Sequence, residues 1–220
     1  MYIQVTNRCN MNCAHCCYSY TEKGHDMNMA IYRRCVNVAA CYGDPVSIGG
    51  GEPTLHPRFL EMLCYAIGKS DEIPPWVSTN GTHKNITLMA IKLNLAGAIS
   101  LRISMDQFHN TNMISDRVKR EIARHKTKLD ISENRTTIMA VGRGKQLEDD
   151  YEVINECVCP DIFIDPFGDV YFCGCKSEKI GTYKDIPKII KWKAENCHDI
   201  DCWRHVQPNA KEFIKNGGIK

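Results

Sequence analysis

No apolar run in this chain approaches the ~20 residues that a membrane-spanning helix requires. The opening, MYIQVTNRC, lacks the charged stretch and the following long apolar stretch of a secretory signal. Neither sign of charge is in surplus: the formal net charge is +2, which argues neither for nor against an acidic partner. Repeats, low-complexity tracts and an obvious flexible linker are missing too. What remains is a globular chain with no membrane segment, expected in the cytoplasm, where glutathione keeps thiols reduced. With 43% hydrophobic and 25% charged residues, 220 residues suit one domain with a small appendage, large enough for a core without disulfide staples.

Cysteine is the residue in excess. There are 13, an odd number that fits poorly with a fully paired disulfide framework. They cluster at Cys9, Cys13, Cys16 and Cys17, and again at Cys157, Cys159, Cys173, Cys175, Cys197 and Cys202. Reduced, clustered thiols are most often metal ligands. Cys35, Cys41 and Cys64 are scattered on predicted helices and read as core residues.

Strands and helices alternate along the first two thirds of the chain. YIQVT, VSIGG, WVSTNG, ISLRISMD and TTIMAV read as strands. Residues 27–42, RFLEMLCYAIGKS, HKNITLMAIKLNLAG, NMISDRVKREIARHKTK and KQLEDDYEVINE read as helices. Such βα units predict an α/β fold with a parallel sheet, and there are too few for a complete eight-stranded barrel. The expected architecture is an open, partial TIM-like barrel over residues 1–150. Residues 151–220 form a small cysteine-rich C-terminal extension, with a β-hairpin at IFIDPFGDVYF and a short helix at IPKIIKWKAEN.

Cys9, Cys13 and Cys16 are spaced C-x3-C-x2-C on the loop leaving the first predicted strand, at the barrel end where active sites form. Three thiolates on one tight loop suit an iron–sulfur cube with one iron left open for chemistry. A zinc knuckle is the competing reading, but it needs a fourth ligand, and His15 and Cys17 adjoin Cys16 too closely to supply it.

This spacing, with His15 before the third cysteine, resembles that of the radical S-adenosylmethionine enzymes. GGGEP at 49–53 follows the second strand, STNG at 78–81 the third, and SMD at 104–106 ends the fourth, as that family's motifs do. The resemblance covers residues 1 to about 145. It implies that Cys9, Cys13 and Cys16 hold a catalytic 4Fe-4S cluster, with His15 beside it. It implies that Gly50, Gly51, Glu52 and Pro53 meet the methionine amino group. Thr79, Asn80, Ser104 and Asp106 would meet the ribose or carboxylate.

Elementary physics agrees. A glycine run admits close backbone approach, and Glu52 offers a carboxylate to an ammonium. In ISLRISMD, Ser100, Arg102, Ser104 and Asp106 share the face expected to point inward. His109 could reach substrate or cap and pack locally. Arg143 could hold a carboxylate or substrate or lie on the surface. The basic stretch RVKREIARHK reads as a solvated helix face, so nucleic acid is not indicated.

Ten residues separate Cys157 from Gly168, and four separate Gly168 from Cys173, which resembles the opening of the SPASM and Twitch extensions. With only Cys197 and Cys202 beyond, one auxiliary 4Fe-4S cluster held by Cys157, Cys173, Cys197 and Cys202 is expected. A zinc site, with His198 or His205, is the alternative, and Cys159 and Cys175 are unassigned. The implied activity is reductive cleavage of S-adenosylmethionine to a 5′-deoxyadenosyl radical, which abstracts hydrogen from a small-molecule, nucleotide or peptide substrate. The electron donor would be a flavodoxin or ferredoxin. The chain opens at its first predicted strand, an expectation against a leader-peptide recognition domain. The alternative from another class is a non-catalytic zinc-binding module.

Overall fold

The computed structural model describes residues 1–139, 141–147, 149–153, 162–172, 174, 176 and 179–196. Five parallel strands, β1 (Tyr2–Thr6), β2 (Ser47–Gly50), β3 (Trp76–Thr79), β4 (Ser100–Ser104) and β5 (Asp130–Ser132), pair in chain order. Helices α1 (Met29–Cys41), α2 (Phe59–Ile67), α3 (Lys84–Leu95) and α4 (Asp116–Arg124) connect them. Asn28 caps α1 by accepting from the Ala30 N–H, and Ser115 caps α4 by accepting from the Val118 N–H. On α4 only Val118 and Ile122, four residues apart, are buried, so one narrow apolar stripe docks a basic helix.

The sheet sorts its side chains by period two. Ile3, Val5, Ile48, Val77, Leu101 and Ile103 point outward and are buried beneath the helices, each contributing up to about 1.5–3 kcal/mol. The opposite face carries Tyr2, Gln4, Thr6, Ser78, Ser100 and Ser104, with Tyr2, Ser47, Trp76 and Ser100 in one row of register. At the open side of the barrel, Arg102 lies over the Trp76 ring and pairs with Asp130 at 2.7 Å, half exposed on the inner face. The polar inner face predicted for β4 is thus present, and it is hollow.

Three expectations are corrected. The fifth strand of the sheet is 130–132; TTIMAV supplies only β6 (Thr137–Ile138), which pairs with β7 (Glu152–Val153) in a separate two-stranded sheet. Residues 142–147 form a 3-10 turn, with no α-helix among the described residues of KQLEDDYEVINE. Of the scattered cysteines only Cys35 is buried; Cys41 ends α1 and Cys64 lies on the solvent side of α2, both exposed. The predicted hairpin forms as β8 (Phe163–Ile164) and β9 (Asp169–Tyr171), but it does not stand apart. β8 pairs parallel with β1, and β9 with β10 (Gly181–Thr182) extends one eight-stranded open sheet. Helix α5 (Ile186–Asn196) packs on α1, with Trp192 stacked on Phe172.

Candidate active site

The C-terminal ends of β1 to β5 gather at one rim, and the loop after β1 carries the first cysteines. Its base is closed by Arg8, which donates to both oxygens of Asp26 (3.0 and 2.8 Å) and to the Leu55 carbonyl (2.6 Å). Thr6 Oγ1 adds a third bond to Asp26 at 2.7 Å. Partial burial opposes these bonds, yet they hold the Asp26 carboxyl below its usual range.

The loop's far side is held by Arg143. Its Nε–H donates to the Cys13 carbonyl at 2.9 Å, its two Nη groups donate to the Tyr20 carbonyl at 3.2 and 3.3 Å, and its backbone N–H donates to the Cys16 carbonyl at 2.9 Å. Gly142 allows this approach: its φ is 59°, and a Cβ there would collide with the Cys16 and Cys17 carbonyls. Arg143 lines the same cavity as Cys13 and Cys16, and its guanidinium grips the loop backbone.

Cys9, Cys13 and Cys16 line one cavity of about 230 Å³ together with Gly50, Gly51 and Glu52. Gly51 packs against Cys9 and Arg8, where a Cβ would overlap the Arg8 carbonyl. Burial pushes the Cys9 thiol up to about 11, with the charges of Glu52, Cys13 and Cys16 adding to the shift. Three thiols close enough to repel one another as thiolates, on a loop fixed at both ends, fit a metal cluster whose positive charge would release their protons.

Glu52 is buried and fully wired. Oε1 accepts from the Thr54 N–H (3.1 Å), Thr54 Oγ1 (2.6 Å) and Thr79 Oγ1 (2.7 Å), while Oε2 accepts from the Asn80 N–H at 2.7 Å. Burial raises its pKa against the pull of those bonds. Asn80 Nδ2 in turn donates to Asn10 Oδ1 at 2.9 Å, tying the β3 turn to the cysteine loop. Thr79, Asn80 and Ser104 line the cavity; Pro53 and Asp106 do not.

Asp106 stands behind the wall. It accepts from His109 Nδ1 at 2.6 Å, from Arg135 Nε at 3.2 Å and from the Phe108 N–H at 3.2 Å. Burial works against ionisation, but His109 leads the bonds and charges that hold Asp106 down at about 2. Burial would lower His109, yet Asp106 and Cys13 lift it to about 9. His15 stacks near Phe108 at 4.6 Å, and burial followed by the Arg135 charge lowers it to about 4, leaving a neutral ring with a buried, unpartnered Nδ1. His15, Asp106 and His109 bring ligand atoms within 4.8 Å of one another. Because the Asp106 oxygens already serve His109 and Arg135, this is a hydrogen-bonded wall.

Arg135 was not anticipated. It lines the cavity, with its backbone fixed on both sides by Gln107 (3.0 and 2.6 Å). It follows β5, the strand the sequence reading passed over. Cys157, Cys159, Cys173, Cys175, Cys197, Cys202, His198 and His205 lie outside the described residues.

A three-thiol loop at the mouth of an open parallel barrel, packed against a glycine turn, is the arrangement of a class of cluster-dependent enzymes. The Radical SAM superfamily profile matches residues 3–155, and the chain belongs to that superfamily. Membership implies a 4Fe-4S cluster and S-adenosylmethionine. Over 86 residues the chain is 33% identical to a tungsten-containing aldehyde ferredoxin oxidoreductase cofactor-modifying protein of Pyrococcus furiosus, a match covering 37% of this chain and 24% of that protein. Over 110 residues it is 31% identical to the mycofactocin maturase MftC of Mycobacterium ulcerans, covering 47% and 28%. The chain thus spans about a quarter of the length of these curated relatives. The crystal structure of BtrN in complex with AdoMet and 2-DOIA has the same fold, with a TM-score of 0.60 at 15% identity, over 98% of this chain and 86% of that one.

Proposed function

We propose that this chain cleaves S-adenosylmethionine reductively and uses the resulting radical on a substrate held in the barrel mouth. The observation that carries the reading is the meeting of Cys9, Cys13 and Cys16 with Gly50, Gly51 and Glu52 around one cavity. A 4Fe-4S cluster on those thiols would supply one electron to the sulfonium and yield a 5′-deoxyadenosyl radical. The chain's own residues hold and orient. Arg8 and Arg143 fix the thiol loop, and Glu52 fixes Thr79 and Asn80, the residues assigned to the ribose or carboxylate. Ser104 and Arg135 face the same space, and Asp106 acts through His109 and Arg135. His15 and the Gly50–Pro53 turn complete the assignment. The substrate would be a small molecule, a nucleotide or a peptide, and relatives named as a cofactor-modifying protein, a GTP 3′,8-cyclase and a nucleotide dehydratase support the first two classes. A flavodoxin or ferredoxin would deliver the electron.

After anaerobic reconstitution and reduction, the protein is expected to form 5′-deoxyadenosine, and the Cys9, Cys13 and Cys16 triple alanine variant is expected to form none. Undiminished cleavage by that variant sinks the assignment. For the C-terminal thiols, the proposal is an auxiliary 4Fe-4S cluster on Cys157, Cys173, Cys197 and Cys202. Wild type should then hold about eight irons and the triple variant about four. A triple variant holding zinc and no iron makes the tail a zinc site.

A further inference from the structure

Lys176, from the chain beyond the hairpin, reaches the inner face of the sheet. Its Nζ donates to Gln4 Oε1 at 2.7 Å and to Tyr20 Oη at 2.9 Å, and lies 3.9 Å from Asp165 Oδ2. The same ammonium stands 5.2 Å from the ring centroid of Tyr18, 5.6 Å from Tyr20, 5.3 Å from Phe163 and 5.9 Å from Tyr171. A cation within about 6 Å of one ring is already attracted to it, and here four rings surround one charge. The side chain is 20% exposed, so water screens it little. Its backbone has φ 51°, a left-handed conformation that a lysine keeps only where its surroundings hold it.

The partners come from three separate stretches of chain. Gln4 belongs to β1, and Phe163, Asp165 and Tyr171 to the hairpin. Tyr18 and Tyr20 close the cysteine loop. Tyr18 also lines the cavity, and the Tyr20 carbonyl is the one Arg143 grips. Arg143 therefore holds the backbone of this loop end from one side, and Lys176 holds its side chains from the other.

We infer that Lys176 is a positioning residue for the cysteine loop: its caged ammonium pins Tyr18 and Tyr20 to the sheet, fixing the far end of the loop that presents the thiols. The functional meaning of the pin rests on the cluster reading of that loop; the pin itself does not. A lysine that merely adds to global stability makes a different forecast, because its loss would loosen the whole sheet evenly.

The test uses the 220-residue chain, metal-free, and three variants. Lys176→Met fills the cage without charge, Lys176→Arg keeps the charge, and Lys176→Ala empties the cage for a free ammonium ion. In Lys176→Met, amide exchange across residues 9–21 should quicken about tenfold, the effect of losing the one bond from the charged donor to Tyr20 and its contacts with the Tyr18 and Tyr20 rings, while Tyr20 keeps its own 2.7 Å bond to Gln4 Oε1. Exchange in β1 and β3 should hold at the wild-type rate. Lys176→Arg should stay within about threefold of wild type. Ethylammonium chloride, and not sodium chloride at the same ionic strength, should slow the loop of Lys176→Ala again. An unchanged loop in Lys176→Met, an even rise across the sheet, or rescue equal with both salts overturns the inference. Iron retention by the reconstituted variants, read against a chelator, separates the two claims. A quickened loop with undiminished iron retention upholds the pin and removes the loop from the cluster.

Discussion

Replacing Arg143 with Met isolates the grip on the cysteine loop, because the apolar stem stays and only the guanidinium leaves. Two carbonyls lose their charged donor: Cys13, held at 2.9 Å, and Tyr20, held by a fork at 3.2 and 3.3 Å that counts as one interaction. Hydrogen bonds to charged groups contribute about 1.5–3 kcal/mol each. Arg143 is only half-buried and water can replace it, so the lower figure applies to each carbonyl, about 3 kcal/mol together. The bond from the Arg143 N–H to the Cys16 carbonyl survives the substitution. The loss falls on an irregular loop, so it should appear as local opening and not as global unfolding. If the thiols bind metal only in the closed loop, metal affinity falls with the closed fraction, by about 100-fold for about 3 kcal/mol. Anaerobic titration with Co²⁺, read by its thiolate charge-transfer band, measures this. The Cys9, Cys13 and Cys16 triple alanine variant serves as blank for the remaining thiols. Lys at this position, unable to span both carbonyls, should recover less than half of the loss in free energy. A Co²⁺ affinity for Arg143→Met within twofold of wild type would refute the reasoning.

Three further outcomes follow from the same contacts. Glu52→Gln must turn an amide NH2 toward either the Asn80 N–H or the Thr54 and Thr79 donors, so S-adenosylmethionine affinity should drop about ten- to a hundred-fold by equilibrium dialysis, with the cluster spectrum unchanged. Binding equal to wild type would show that this carboxylate does not shape the cofactor site. Gly142→Ala demands a left-handed alanine against the Cys16 and Cys17 carbonyls; at about 2–4 kcal/mol it should open the same loop and weaken Co²⁺ binding by roughly thirty- to a thousand-fold, and unchanged binding would separate this turn from the loop. Asp26 has its folded pKa below 3.8, so its contribution is present above that value and is lost as pH falls through the folded pKa. Asp26→Asn should therefore be less stable at neutral pH and indistinguishable from wild type in strong acid, and a gap that persists there would place the effect outside Asp26's ionisation.

The strands β1 to β4 were legible because each alternates or ends in glycines, and the residues that punctuate them also carry function. KLDIS defeated the same reading. Its strand has three residues, of which Asp130 is exposed at the barrel's open edge, so no alternation marks it. TTIMAV has the stronger β composition, yet among its described residues it forms only a two-residue strand in a side sheet. That exchange hid Arg135, which follows the true fifth strand. Spacing found the three thiols because a loop writes its ligands close together. Spacing cannot find their supports. Arg143 meets Cys13 across 130 positions and Lys176 meets Gln4 across 172, and neither contact leaves a trace in neighbouring residues. The glycines at 142 and 144 were the available signal, since bare Cα atoms mark close approach by something.

The cavity lining combines acidic groups with cations, and the cations are held in place by the fold alone. The lining includes three thiols and the carboxylate of Glu52 together with His109, Arg135 and Arg143, and Arg143 lies against the thiol loop itself. The cationic part of the lining is complete before any cofactor binds. Asp106 fixes His109 and Arg135 at once, Gln107 fixes the backbone of Arg135, and Arg143 is anchored on two carbonyls. Groups locked in this way do not reorient when charge appears beside them, so their field costs no reorganisation at the moment of reaction. Surface lysines drawn in by a bound anion would supply the same charge but would lose rotamer freedom each time. Cys9, by contrast, holds its proton until metal arrives, because burial keeps its thiol up at about 11. Metal binding would therefore create negative thiolate charge in a lining that already carries fixed cations. That arrangement favours retention of the loaded loop over release of its metal, and it gives Asp106, which touches neither thiol nor cavity, a role through the two cations it holds in place.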